Sequence, residues 1–198
     1  MSSISTRLFV CATALVMAVL VWLGFSTVQW TQAKGLLPTE LALTGPDATI
    51  PASYSWPGGT KLTDYITERT FLIGNDGRQV LFMHPPSSAH FQVQVPGKAT
   101  LKFTMALQPD VWDKPGDGVD FVVRALRWDM KSQRNVEEPL FSQYVDPKKD
   151  PAARRWLDAA VSLDRFSDQV ITLTFQTLPH DSPDYDWAGW NSIRIARP

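Results

Sequence analysis

The sequence predicts an all-β antiparallel β-sandwich of the jelly-roll kind, preceded by a single N-terminal transmembrane helix. Three observations carry this. Leu8 to Val28 is a run of 21 residues without a charge. From residue 61 onward short stretches alternate apolar and polar residues with period two. Turn-forming Pro, Gly, Asn and Asp clusters separate those stretches.

At a rise of ~1.5 Å per residue the first run spans roughly 30 Å, the thickness of a bilayer's hydrocarbon core. It is longer than the apolar core of a signal peptide, and Thr31-Gln32-Ala33 is a poor cleavage site. An uncleaved anchor over residues 8–28 is the expectation, with residues 1–7 cytoplasmic. Arg7 on the cytoplasmic side places the remainder in the periplasm or outside the cell. Trp22 and Trp30 suit the outer headgroup zone, and Cys11, Ala14 and Ala18 form a small-residue stripe. That stripe suits a neighbouring helix or plain lipid contact. The run holds no Asp, Glu, Lys, Arg or His, so it offers no proton relay and no haem ligand.

Residues 29–60 carry Gly35, Pro38, Gly45, Pro46, Pro51, Pro57, Gly58 and Gly59. That density of breakers predicts an extended tether. Its apolar residues, Leu36, Leu37, Leu41, Leu43 and Ile50, predict that part of it lies against the domain or a neighbour.

Residues 61–198 form the predicted sandwich. Strands are expected at Arg78–His84, Ala89–Val95, Thr100–Leu107, Gly118–Trp128 and Gln169–Thr177. Their inward faces carry Phe91, Val93 and Val95, then Leu101, Phe103, Met105 and Leu107, then Ile171, Leu173 and Phe175. Weaker patterns predict strands at Thr70–Ile73, Pro139–Val145, Arg155–Val161 and Ser192–Ala196. Pro151 to Trp156 gives the one short helical signal. Strands with turns at this spacing are those of a sandwich.

Composition narrows the function. Of 19 Lys and Arg, only Arg7 precedes the apolar run, and 20 Asp and Glu balance the rest. Such a surface has no field to recruit nucleic acid. The sole cysteine, Cys11, lies in the apolar run, so there is no intrachain disulfide and no cysteine-based metal cluster.

The segment DVWDKPGDGVD packs four carboxylates into eleven residues. Asp117 and Asp120 have the chemistry of calcium ligands, and equally that of a tight turn. HPPSS sets His84 beside Ser87 and Ser88 without the context of a nucleophilic serine, so no catalytic residue is assigned. The C-terminal SPDYDWAGWNSIRI concentrates Tyr185, Trp187 and Trp190 beside Asp184 and Asp186. With Trp112 these aromatics are candidate ligand or partner contacts, and equally candidate core.

The segments HPPSSAHFQVQVP, LKFTMALQPDVWDKPGDGVDFVV, LFSQYVDPKKDPAARRWLDAAVSLDRF and YDWAGWNSIRI together resemble the galactose-binding-domain-like jelly rolls. More narrowly, residues 60–198 resemble the carbohydrate-binding-module-like domain found attached to bacterial membrane proteins. The resemblance implies structural calcium in some members, with Asp117, Asp120 and Asp186 as the positions to inspect. It implies glycan binding through loop aromatics in many members and protein contacts in others.

Two readings follow. The first is a non-catalytic, membrane-anchored accessory subunit of a larger integral-membrane complex, such as a photosynthetic or respiratory one. The alternative is a membrane-anchored carbohydrate-binding module recognising envelope or extracellular glycan. Burial or exposure of Trp112, Trp187 and Trp190 discriminates between them.

Overall fold

The computed structural model describes residues 40–197. The predicted membrane helix Leu8–Val28, with Cys11, Ala14, Ala18, Trp22 and Trp30, lies outside the described residues. Among the described residues no helix is long and apolar enough to cross a membrane.

Eleven strands build two antiparallel sheets: β1 (Glu40–Ala42), β2 (Ser53–Ser55), β3 (Ile66–Ile73), β4 (Asp76–Met83), β5 (Ser87–Gln94), β6 (Thr100–Leu107), β7 (Val119–Asp129), β8 (Arg134–Val145), β9 (Leu157–Ser162), β10 (Val170–Pro179) and β11 (Ala188–Ala196). The one α-helical turn, α1, spans Leu62–Tyr65. The first sheet runs β3-β4-β11-β6-β9, with β1 also paired to β11. The second runs β2-β5-β10-β7-β8. Every pairing is antiparallel.

The expected inward faces fill the space between the sheets. Phe91, Val93, Leu101, Phe103, Met105, Leu173 and Phe175 are all buried there. Trp190 sits at the centre, edge-on to Phe121 and Phe175 with ring centroids 5.0 Å away and to Phe103 at 5.4 Å. Aromatic edge-to-face pairs of this kind add to plain area burial.

Two differences from the sequence reading have clear causes. β11 starts at Ala188, four residues before the expected Ser192, because the pairs Ala188–Met83 and Ala188–Leu107 seat its first half between β4 and β6. β1 and β2 fall inside the expected tether 29–60. Their three-residue lengths carry no readable periodicity, and only pairing with β11 and β5 defines them. Leu43 from this stretch is buried in the core. Pro151 to Trp156 forms a short 3₁₀ turn, Pro151–Ala153, with the Asp150 side chain accepting from the Ala152 N–H.

A second apolar cluster lies on the outer face of the first sheet: Phe71, Val80, Phe82, Ala106 and Trp156. Gly189 makes it possible. A Cβ there would stand 2.6 Å from the Phe71 ring and 2.9 Å from a Val80 methyl. Two cations finish the cluster, the Arg69 guanidinium 3.6 Å from the Phe82 centroid and that of Arg78 4.8 Å from Trp156.

Candidate functional site

The outer face of the second sheet is different in kind. Because side chains alternate, the inward set Ala89, Phe91, Val93 leaves Ser88, His90 and Gln92 on the opposite face of β5. Likewise β10 presents Thr172, Thr174 and Gln176, and β7 presents Arg124, Leu126 and Trp128. The register lines up His90 with Ser53 and Thr174, and Thr174 with Arg124. Neighbouring rows are stitched together by side-chain hydrogen bonds.

Ser55 Oγ lies 3.1 Å from His90 Nε2, and His90 Nδ1 lies 3.1 Å from Thr174 Oγ1. Gln176 Nε2 donates to Ser88 Oγ at 3.4 Å, and Arg124 Nε donates to Gln176 Oε1 at 3.1 Å. Arg124 Nη1 then donates to Glu137 Oε2 on β8 at 3.3 Å. Two polar chains thus run across this face, Ser55–His90–Thr174 over β2, β5 and β10 and Ser88–Gln176–Arg124–Glu137 over β5, β10, β7 and β8. Burial holds the His90 pKa below its ordinary value, so the ring is neutral at neutral pH and offers one donor and one acceptor.

Aromatic groups close both ends of this face. Trp128 is 53% exposed beside Val170, which is 56% exposed. At the other end the Tyr144 ring lies 4.8 Å from that of His180, tilted by 41°, and His180 Nδ1 lies 3.7 Å from Asp120 Oδ2. From Trp128 to Asp120 along β7 is roughly 26 Å at ~3.3 Å per residue.

The expected C-terminal site is arranged otherwise. Trp190 is 0% exposed and belongs to the core, which removes it as a contact residue. Trp187 is half-buried and packs against both apolar clusters. Trp112 is half-buried, and its indole N–H donates to the Leu107 carbonyl at 2.9 Å. Of the four expected aromatics only Tyr185, 40% exposed, faces solvent substantially. They form no open platform.

The acidic residues do converge, with one exception. Asp186 is 0% exposed, and neither carboxylate oxygen has a hydrogen-bond partner. It borders a cavity of about 10 Å³ shared with Gly116, Gly118 and Asp146. That is the size of one water or one ion. Burial first, then the charges of Asp117, Asp146 and Asp184, push the Asp186 pKa up to about 8. Asp117 accepts the Asp181 and Ser182 N–H groups on Oδ2, both at 2.9 Å, while its Oδ1 is buried without a partner. Asp120, the third expected ligand, points instead to His180.

Gly118, at φ +91°, is required here because a Cβ would stand 2.8 Å from Asp146 Cβ and the Val145 carbonyl. Among the described residues no three His, Cys, Asp or Glu side chains converge closely enough to hold a metal by themselves. The orphaned oxygens of Asp186 and Asp117 nonetheless have the chemistry that a hard cation takes, completed by backbone carbonyls and water.

No protein-family model matches the chain. An uncharacterized protein of Archaeoglobus fulgidus is 40% identical over 132 residues, covering 62% of this chain and 32% of that protein. The chain therefore spans about a third of that relative's length. The CBM51-2 and INT domains of Clostridium perfringens ZmpB superpose with a TM-score of 0.52 at 13% identity, covering 80% of this chain and 31% of theirs. The likeness is one of fold. A CBM51 from Clostridium perfringens GH95 in complex with methyl-galactose gives 0.49 at 13% identity, over 79% of this chain and 99% of that one. Both of these solved structures are carbohydrate-binding modules by name.

Proposed function

We propose that the described domain is a non-catalytic carbohydrate-binding module whose ligand lies along the outer face of the five-stranded sheet. The observation that carries this is a pair of side-chain hydrogen-bond chains on that face, Ser55–His90–Thr174 across β2, β5 and β10 and Ser88–Gln176–Arg124–Glu137 across β5, β10, β7 and β8. Sugar hydroxyls need donors and acceptors in quantity, and this face supplies both from uncharged groups and the Arg124–Glu137 pair. The groups are already fixed by one another, which lowers the ordering cost of binding. Trp128 offers a ring for the C–H face of a pyranose at one end, and Tyr144 at the other.

Calcium is proposed as a structural ion at Asp186 and Asp117. There it would neutralise carboxylates that repel one another and tie the loop before β7 to the one before β11. The Leu8–Val28 run is the proposed anchor, and it would present the glycan face outside the cytoplasm. The parent assembly of an accessory-subunit role finds no specific counterpart among the described residues.

The test is retention of the full chain, in detergent, on immobilised neutral polysaccharides in affinity electrophoresis. Retention that falls at least about tenfold in His90→Ala and Arg124→Ala supports the proposal. Absence of retention on every polysaccharide, or retention untouched by both substitutions, overturns it.

A further inference from the structure

The first sheet splits. β4 pairs with β11 only over Leu81–Met83 and Ala188–Trp190, and β1 takes over opposite Arg194–Ala196. Between these partners β11 breaks register at Asn191 to Arg194, with Ser192 at φ +51°. The fork opens into a cavity of about 670 Å³, roofed by the segment that leads from β1 to β2. This volume falls in the range of small-molecule sites. It lies on the inner side of β4, so it is separate from the polar face proposed above.

The lining of the cavity holds two carboxylates, Glu68 and Asp47, that no cation balances among the described residues. Glu68 is held by Gln79, whose Nε2 donates to Oε2 at 2.8 Å, and its second oxygen is unengaged among the described residues. Asn191 Nδ2 gives one of its two N–H groups to the Gln79 carbonyl at 2.7 Å, and Thr44 Oγ1 accepts from the Ile193 N–H. The two arginines at the rim are occupied as well, Arg78 by Asp76 and Arg194 by Glu40. Neither Glu68 nor Asp47 has an ion-pair partner among the described residues. Burial, and then the charge of Glu68, raise the Tyr54 pKa, so its hydroxyl keeps its proton as a donor at neutral pH. Leu81 and Phe91 supply an apolar floor.

We propose that this fork is a second binding site, taking a protonated amine carried on a body the size of one six-membered ring, as in an amino sugar. The ammonium would meet Glu68 and Asp47, and the ring would lie on the apolar floor against the Tyr54 hydroxyl. A neutral ring of the same size would leave both carboxylates without a counter-charge.

The experiment is calorimetric titration of the full chain in detergent with glucosamine and with glucose, at about pH 6 where the amine is charged. Glucosamine is expected to bind at least about tenfold tighter than glucose. Glu68→Gln keeps the acceptor for Gln79, and both it and Asp47→Asn are expected to weaken glucosamine about tenfold or more. His90→Ala on the other face should leave this binding unchanged, so the two sites succeed or fail separately. Equal affinity for glucose, no detectable binding of glucosamine, or binding indifferent to both carboxylate variants would overturn the assignment.

Discussion

The two sheets of this sandwich turn opposite characters to the outside. The first covers its outer face with Phe71, Val80, Phe82 and Trp156, capped by Arg69 and Arg78. The second leaves serine, histidine, threonine, glutamine and arginine there, tied across neighbouring strands. One face contributes to stability, and the other keeps its polar groups in fixed positions facing solvent. Burying hydrocarbon stabilises a fold whatever the ligand, whereas a fixed array of uncharged donors and acceptors adds little to folding and much to recognition.

Substitutions should separate the two faces by the size and kind of their effect. Phe71→Ala on the apolar face removes a fully buried ring and should cost about 3–5 kcal/mol in denaturant unfolding. Retention on polysaccharide at temperatures where this variant is folded should be unchanged. If retention falls without loss of stability, the roles of the faces are reversed. Gly189→Ala forces a methyl against Phe71 and Val80 and should cost about 1–3 kcal/mol, read as a drop in Tm.

Asp186 gives the next effect, through pH. Its folded pKa of about 8 stands above the ordinary 3.8, so the folded state binds the proton more tightly than the unfolded state. The Asp186 contribution to the stability of the calcium-free chain should therefore be fully present below the ordinary carboxylate pKa and be lost as pH rises toward about 8. Asp186→Asn should flatten this part of the pH profile. Calcium added near the upper end should raise the Tm of the wild type and not of the variant. A pH profile unchanged by the substitution would deny Asp186 this role. The smallest change in stability is expected for His90→Ala on the polar face, under about 1 kcal/mol, alongside the tenfold loss of retention.

Legibility in the sequence followed the same division. The inward faces of β5, β6 and β10 were readable because alternation of apolar residues is a local pattern. The outward residues of the same strands, His90, Thr174 and Gln176, were visible as polar positions, yet their alignment across strands depends on register, which no single strand encodes. Their signal was modest: central strands with neutral polar side chains where a purely solvated face would carry Lys and Glu. Trp190 shows a different obstacle. A tryptophan at a strand position gives the same local signal whether it faces core or ligand, and only the seat of β11 between β4 and β6 decides. The loops of Asp117 and Asp186 meet, whereas strand alternation places Asp120 on the outer face beside His180. Asp146, in a plain turn sequence, was missed.

The pairing of β1 with β11 has a mechanical consequence. The first strand of the described fold is laced to the last, with Glu40 opposite Ala196 and an Arg194–Glu40 ion pair beside the ladder. Tension arriving through the backbone ahead of Glu40 would be resisted by several backbone hydrogen bonds sharing the load, and passed straight to the strand that holds Trp190. A pull from that direction would load the three-residue β1–β11 pairing ahead of the other strands of the sheet.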